Sequence, residues 1–373
     1  MNMKKITECP DVAGKYVIVR SSCNVPLKNG VVTNSYRLGR ALPTLQFLKE
    51  AGAKVIIIAH IGRDEHDSLI PVFTAFNELI SIKWGGVIGS EEFMAMRNTM
   101  HNGDIVMAEN LRQFAGEGEN NLEFAQLLSA QADIYVNDAF DNVHRDHASM
   151  VTLPTLLPAY AGITLYEEVT ELQKAMKPVS PSLLILGGAK FETKMPLVEK
   201  YLALYDNVFV TGALMNDILK ADGKEVGMSL VSDISLSGEE FLMSPKLIKA
   251  VDVVVQNERG LRTVSTDGVQ PDEKITDMGP VTIAKLAPYI HEAATILWNG
   301  PLGLYESGAP GGTHAVAKLI AEAPGYSIIG GGDTVAAIEE LDLNDKFGFV
   351  SIGGGAMLTL LEHGTTPALE ALG

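Results

Sequence analysis

Short runs of aliphatic and β-branched residues recur along this chain, and longer stretches of helical period separate them. The runs lie at residues 16–20, 55–59, 105–108 and 134–137, then at 183–186, 208–211, 251–255, 296–298, 327–329 and 349–352. Each has the length of one strand, and near-continuous apolar character marks a strand buried on both faces. Between them lie the helical stretches 42–51, 122–132 and 316–323. Strands alternating with helices build parallel sheets covered on both sides. The expected fold is therefore α/β, with two Rossmann-like lobes, each a parallel sheet flanked by helices.

A chain of 373 residues is long enough for two domains that each bury a core. Residues 165–176, LYEEVTELQKAM, combine charge with apolar spacing, and Pro178 and Pro181 follow. This segment is the expected interdomain helix. The expected division is a first lobe at 1–163, a hinge at 164–180, a second lobe at 181–355 and a tail at 356–373 that returns to the first lobe.

Composition narrows the function. With 46% hydrophobic and 20% charged residues the chain is neither disordered nor fibrous. A net charge of -17 disfavours nucleic acid and anionic membrane as partners, so an anionic ligand must meet a local cationic site. Cys9 and Cys23 are too few for a disulfide scaffold. The basic N-terminus leads into no apolar segment, and a cytoplasmic, unexported protein is expected.

Arginine is unevenly placed: Arg20, Arg37, Arg40, Arg63, Arg97, Arg112 and Arg145 all lie before residue 150, and only Arg259 and Arg262 follow. Residues 1–150 hold 14 basic against 18 acidic side chains, and the remainder 15 against 28. Guanidinium forks suit bidentate capture of carboxylate or phosphate, which points to a small polyanion in the first half, with scattered surface charge as the plain alternative.

Ligands of parallel sheets gather beyond the carboxyl ends of the strands. In the first half those positions present Arg20 and Asn24, His60 and Arg63, Glu109, Asn110 and Arg112, then Asn137, Asp138, His144 and Arg145. The second half presents Gly187-Gly188-Ala189-Lys190, Gly212, Asn299-Gly300-Pro301, Gly330-Gly331-Gly332-Asp333 and Gly353-Gly354-Gly355. Glycine turns that open helices bring bare N–H groups to phosphate, and several in one sheet point to a nucleotide. Lys190 and Lys194 share a helix face and suit a transferring phosphoryl group. Asp333 reads either as a Mg2+ carboxylate or as a helix cap. Neither G-x-x-x-x-G-K-[ST] nor a G-x-G-x-x-G opening a first helix is present, which weakens P-loop and dinucleotide readings. The segment His144-Arg145-Asp146-His147 lacks the companions of a kinase loop or a metal pair.

These motifs together resemble the phosphoglycerate kinase family, over most of the chain. NVPL at 24–27, the arginine before ALPT, HIGR at 60–63, ENLR at 109–112 and NDAF with HR and HAS at 137–149 resemble its substrate lobe. GGAK and a second lysine at 187–194, WNGPLGLYE at 298–306, GGGDT at 330–334 and SIGGGA at 351–356 resemble its nucleotide lobe. The resemblance implies reversible, Mg2+-dependent phosphoryl transfer between ATP/ADP and 3-phosphoglycerate, by a monomer whose lobes close. It implies that Ser22, Asn24, Arg37, His60, Arg63, Arg112 and Arg145 bind the acceptor. Gly187, Ala189, Lys190, Lys194, Asn299, Pro301, Glu306, Gly331, Gly332, Asp333, Thr334, Gly353 and Gly354 would hold the nucleotide. Asp333 would take the metal, and Arg37, Lys190 and Lys194 would act on the migrating group.

The chain departs from the family pattern in places. R-V-D-F-N is replaced by Arg20-Ser21-Ser22-Cys23-Asn24, so Ser22 stands where an acid holding the substrate hydroxyl is usual. The glycine-threonine after NDAF is Asp141-Asn142, and G-G-G-M-A is Gly212-Ala213-Leu214-Met215 preceded by Thr211. Two alternatives follow from these changes: a degenerate nucleotide-binding protein of the same fold, or a kinase for another small carboxylate.

Overall fold

The computed structural model describes residues 3–188, 194–233, 236, 238–305 and 308–373. Two compact units emerge, one of residues 1–170 with 363–373, the other of residues 171–362. The unit boundary falls between Thr170 and Glu171, inside the helix Ile163–Ala175. The segment that groups with the first unit begins at His363, later than the expected tail at 356.

The first unit is built on strands β1 (Tyr16–Ser21), β2 (Lys54–Ile58), β3 (Lys83–Gly86), β4 (Ile105–Ala108), β5 (Ile134–Asp138) and β6 (Ala159–Ala161). Their order across the sheet is β3-β4-β2-β1-β5-β6, and every pairing is parallel. β1 is central, paired with β2 along one edge and β5 along the other, and its Val17, Ile18 and Val19 are buried. The helix Tyr36–Glu50 buries Leu38, Ala41, Leu45 and Leu48, a stripe spaced at the helical period that faces the core. Strands β3 and β6 escaped sequence reading: β3 is the tetrapeptide KWGG, with two residues of low strand propensity, and β6 has three residues. The closing helix Pro367–Ala371 docks through Ala368 N–H, which donates to Val143 O at 3.2 Å.

The second unit contains β7 (Ser182–Leu186), β8 (Asn207–Val210), β9 (Leu247–Ile248), β10 (Asp252–Asn257), β11 (Gly260–Ser265), β12 (Lys274–Met278), β13 (Thr295–Asn299), β14 (Tyr326–Gly330) and β15 (Phe349–Val350). The main sheet runs β9-β8-β7-β13-β14-β15, all parallel. The run at 251–255 does not join it. It forms β10 of a separate antiparallel sheet, β11-β10-β12. Its partner β11 is almost wholly exposed, so no apolar run announced an antiparallel pairing. No described helix is long and apolar enough to cross a membrane.

Candidate active site

Parallel strands leave their sheet at one edge, so the turns after β1, β2, β4 and β5 are neighbours by construction. Arg20, near the end of β1, is wholly buried, and its guanidinium is committed to three groups. Nε donates to Ser149 Oγ at 3.0 Å, Nη1 to Ser21 O at 2.9 Å, and Nη2 lies 2.7 Å from His60 Nδ1. Arginine has no acceptor, so His60 Nδ1 accepts and the ring proton sits on Nε2. Burial, then the charges of Arg20, Arg112 and Arg145, hold the His60 imidazole well below its usual range. His60 is neutral in a nest of cations.

Behind Arg20 lies Glu117, itself buried, which accepts from Ser149 Oγ at 2.6 Å and Ser149 N at 3.0 Å. Burial drives its carboxyl upward, while the Arg20 charge and the Ser149 bonds pull it down. A chain of contacts therefore runs from Glu117 through Ser149 to Arg20 and His60.

The loops are tied together by side-chain amides. Asn110 Nδ2 donates to Ile61 O at 3.1 Å and Asp67 O at 2.8 Å, and Asn110 Oδ1 accepts from Arg112 N at 3.1 Å. Arg112 Nη1 donates to Gly62 O. Burial, then repulsion from Arg145, Arg20 and Arg63, pulls Arg112 below its ordinary value. Arg145 Nε is buried, and no hydrogen-bond partner reaches it among the described residues. Crowded cations and an orphaned donor at one edge call for an anion. On the far side Asn24 Oδ1 accepts from Gly62 N at 3.2 Å, and Arg37 Nη1 donates to Asn24 O at 2.5 Å. Ser22 Oγ donates to Asp141 Oδ1 at 2.5 Å, and Arg37 Nη1 is 3.7 Å from Asp141 Oδ2. All seven acceptor-site residues expected from sequence thus lie at this edge. Arg20, Glu117, Asp141 and Ser149 were not among them. Asp141 showed only as a departure from the motif, while Glu117 and Ser149 carried no signal of their partnership.

The edge of the second sheet is made of backbone. Gly187 follows β7, and a Cβ there would meet Pro301 O at 2.3 Å, so only glycine lets these turns meet. Gly300 and Gly331 take φ of 97° and 99°, which L side chains resist. Gly187 N donates to Asn299 O at 2.8 Å and Gly300 N to Thr334 Oγ1 at 3.0 Å. Thr334 thus braces the turn after β13. The helices Ala213–Ala221, Gly332–Glu340 and Gly354–His363 begin directly beyond β8, β14 and β15, with Gly212 and Gly331 as caps of the first two. Their positive ends and free N–H groups are suited to phosphate.

Lys194 Nζ donates to Gly187 O, and burial lowers its ammonium to about 8 against the opposing pull of Asp333. Asp333 stands in the first turn of its helix. Asn299, Gly332, Gly353 and Gly354 lie along the same strand ends and helix starts. Ala189, Lys190 and Glu306 are outside the described residues. A narrow cleft beside Gly212 is walled by Asn216, Leu230, Leu302 and, from β12, Ile275, Thr276 and Met278. Its β12 wall leaves no apolar run in the sequence because the buried part of this strand includes the polar Thr276 and Asp277. Trp298 is wholly buried, with Nε1 donating to Gly300 O at 2.8 Å, which makes it a packing residue.

Cations at one sheet edge and bare amides with a lysine at the other define the class: a phosphotransferase of two α/β units. The phosphoglycerate kinase family model matches residues 6–364. The chain is 37% identical over 394 residues to the phosphoglycerate kinase of Methylorubrum extorquens strain PA1, covering 100% of this chain and 98% of that one. It is 38% identical over 392 residues to that of Chelativorans sp. strain BNC1, covering 99% and 98%. Among solved structures it resembles phosphoglycerate kinase from Coxiella burnetii at TM-score 0.86 and 35% identity, and from Pyrococcus horikoshii OT3 at TM-score 0.90 and 28% identity, each covering 99% of this chain and 98% of the other. The chain belongs to the phosphoglycerate kinase family.

Proposed function

We propose that a carboxylate oxygen of 3-phosphoglycerate attacks the γ-phosphorus of ATP as the bond to the β,γ-bridging oxygen breaks, giving an acyl phosphate and ADP, and that the step is reversible. Nucleophile and leaving group are both anions, so no general base is required. What the chain must supply is in-line positioning and positive charge at the equatorial oxygens.

Arg63, Arg112 and Arg145 grip the acceptor's anionic ends, His60 donates from Nε2, and Asn24 and Ser22 complete the first half-site. The glycine turns and Lys190 hold the nucleotide phosphates, with Glu306 at the ribose. Arg37 and Lys194 neutralise the migrating group. Because these two belong to different units, the units close on the substrates and exclude water that would hydrolyse the acyl phosphate. The observation that carries the assignment is the gathering of Arg20, Arg112 and Arg145 around a neutral His60, a concentration of positive charge that suits an anionic acceptor.

Asp333 is the carboxylate beside Lys194, and no described cluster of three His, Cys, Asp or Glu competes with it. A single carboxylate fits Mg2+, which is held largely through phosphate oxygens. When bound, the ion would neutralise nucleotide phosphate charge. The enzyme acts as a monomer and in the cytoplasm, the latter in keeping with its free thiols Cys9 and Cys23.

A coupled assay with ATP, Mg2+ and 3-phosphoglycerate tests the reading, with turnover expected and its loss in Arg37→Ala and Lys194→Ala. Nucleotide binding without turnover of this acceptor would refute it, and X-ray scattering curves unchanged by both ligands would refute closure.

A further inference from the structure

The acceptor in the proposed reaction has two anionic ends and one hydroxyl. Arginines satisfy the ends, but a hydroxyl held among cations needs an acceptor, and a carboxylate is the strongest one a side chain offers. Position 22, where the family pattern has an acid, carries a serine here.

The carboxylates near this edge differ in what remains to them. Glu109 is spent on Ser68 Oγ at 2.7 Å, Leu69 N at 2.7 Å and Asn110 N at 2.8 Å. Asp67 Oδ2 accepts from Arg63 N at 3.2 Å and Asp64 N at 3.1 Å, and Glu117 is taken by Ser149. Asp138 Oδ1 accepts from Leu165 N at 3.0 Å, and its Oδ2 is sealed from solvent. Asp141 is arranged otherwise. Ser22 Oγ at 2.5 Å and Asn142 Nδ2 at 2.7 Å both donate to its Oδ1. Among the described residues no hydrogen-bond donor reaches Oδ2, whose nearest cation is Arg37 Nη1 at 3.7 Å. The side chain is 7% exposed, so the carboxylate is held by its neighbours with one oxygen unspent.

We propose that Asp141 is a specificity-determining residue that accepts the hydroxyl of the acceptor, with Ser22 orienting it as a donor. The carboxylate has in effect moved from the end of β1 to the turn after β5, two elements that pair side by side. The two departures from the family motif are then one change: each position holds a group the other requires, since a carboxylate at 22 facing Asp141 would set two like charges together. The proposal rests on the reading that the acceptor is 3-phosphoglycerate.

The test compares wild type, Asp141→Asn, Ser22→Asp and Ser22→Asp/Asp141→Gly. Two quantities are measured: KM for 3-phosphoglycerate, and the inhibition constant of 3-phosphooxypropanoate, which lacks the hydroxyl. Loss of a hydrogen bond to a charged group predicts a KM raised about 10- to 100-fold in Asp141→Asn. The inhibition constant of the deoxy compound should move less than about threefold, because it has no hydroxyl to lose. Ser22→Asp alone should also raise KM, and adding Asp141→Gly should bring it back toward wild type. The proposal is overturned if Asp141→Asn leaves KM within about twofold, or if KM and the deoxy inhibition constant rise together, which a structural role would produce. Absence of 3-phosphoglycerate turnover in wild type would overturn the acceptor assignment itself, and that failure shows before any substitution is made.

Discussion

At the edge of the first sheet Arg20, Arg37, Arg63, Arg112 and Arg145 gather, whereas the edge of the second is built from Gly187, Gly212, Gly300, Gly331 and Gly354 with Lys194 among them. The same parallel-sheet geometry meets anions by opposite means. Side-chain cations in a partly buried place repel one another, so the first edge surrounds them with Glu117, Asp141 and a histidine kept neutral. Backbone amides carry no net charge and need no such partners. They need instead that nothing occupy the space of a Cβ. The first edge should therefore be vulnerable to changes of charge, and the second, apart from its lysine, to changes of volume.

Substitutions can break or sharpen this contrast. Lys194→Ala should have the largest effect, lowering kcat about 100- to 1000-fold in the coupled assay, the usual cost of removing one stabiliser of transition-state charge. Because its ammonium is lowered to about 8, kcat/KM should fall as the alkaline side of pH 8 is entered, and Lys194→Arg should abolish that limb. Glu117→Leu should cost about 3 kcal/mol in urea unfolding, since Arg20 is left buried without its counter-charge. Gly187→Ala changes no charge, yet its Cβ would press on Pro301 O, and it should cost about 1 to 3 kcal/mol and weaken ATP binding. If Gly187→Ala were neutral while Glu117→Leu were severe, the volume half of the contrast would fail.

The smallest effect concerns pH. Burial, then the charges of Arg20, Arg145 and Arg112, lower His147 from 6.5 to about 4. Between those values the unfolded chain takes up a proton that the folded chain refuses, so stability is full above pH 6.5 and declines as pH falls toward 4. The slope is at most about 1.4 kcal/mol per pH unit. The difference between wild type and His147→Asn should shrink by about 1 kcal/mol from pH 6.5 to pH 5.5, read by urea unfolding at each pH.

Much of the architecture was legible because burial leaves a periodic trace. Except for β9, the buried strands of both parallel sheets show as apolar runs, with β4 at its observed bounds, and the helix Ile163–Ala175 shows by its spacing. Other strands leave no such trace: β3 is half glycine, β6 and β9 have three and two residues, β11 is exposed, and β12 buries the polar Thr276 and Asp277, while the run at 251–255 belongs to an antiparallel sheet and not to a parallel one. Catalytic motifs were legible where glycine or arginine clustered after a strand. Glu117 and Ser149 were not, because nothing in a short helix or an isolated serine reveals which buried cation it faces.

The order of residues by itself determined which half would be cationic and which would be amide-lined, since strand ends and their turns are local in the chain and parallel strands send them all to one edge. Only the tertiary structure decided that Ser22 and Asp141, 119 residues apart, share a hydrogen bond, and that Arg20 fixes the tautomer of His60. Those pairings depend on β1 lying between β2 and β5. Strand order is a global result of packing, and no local pattern of hydrophobicity or charge encodes it.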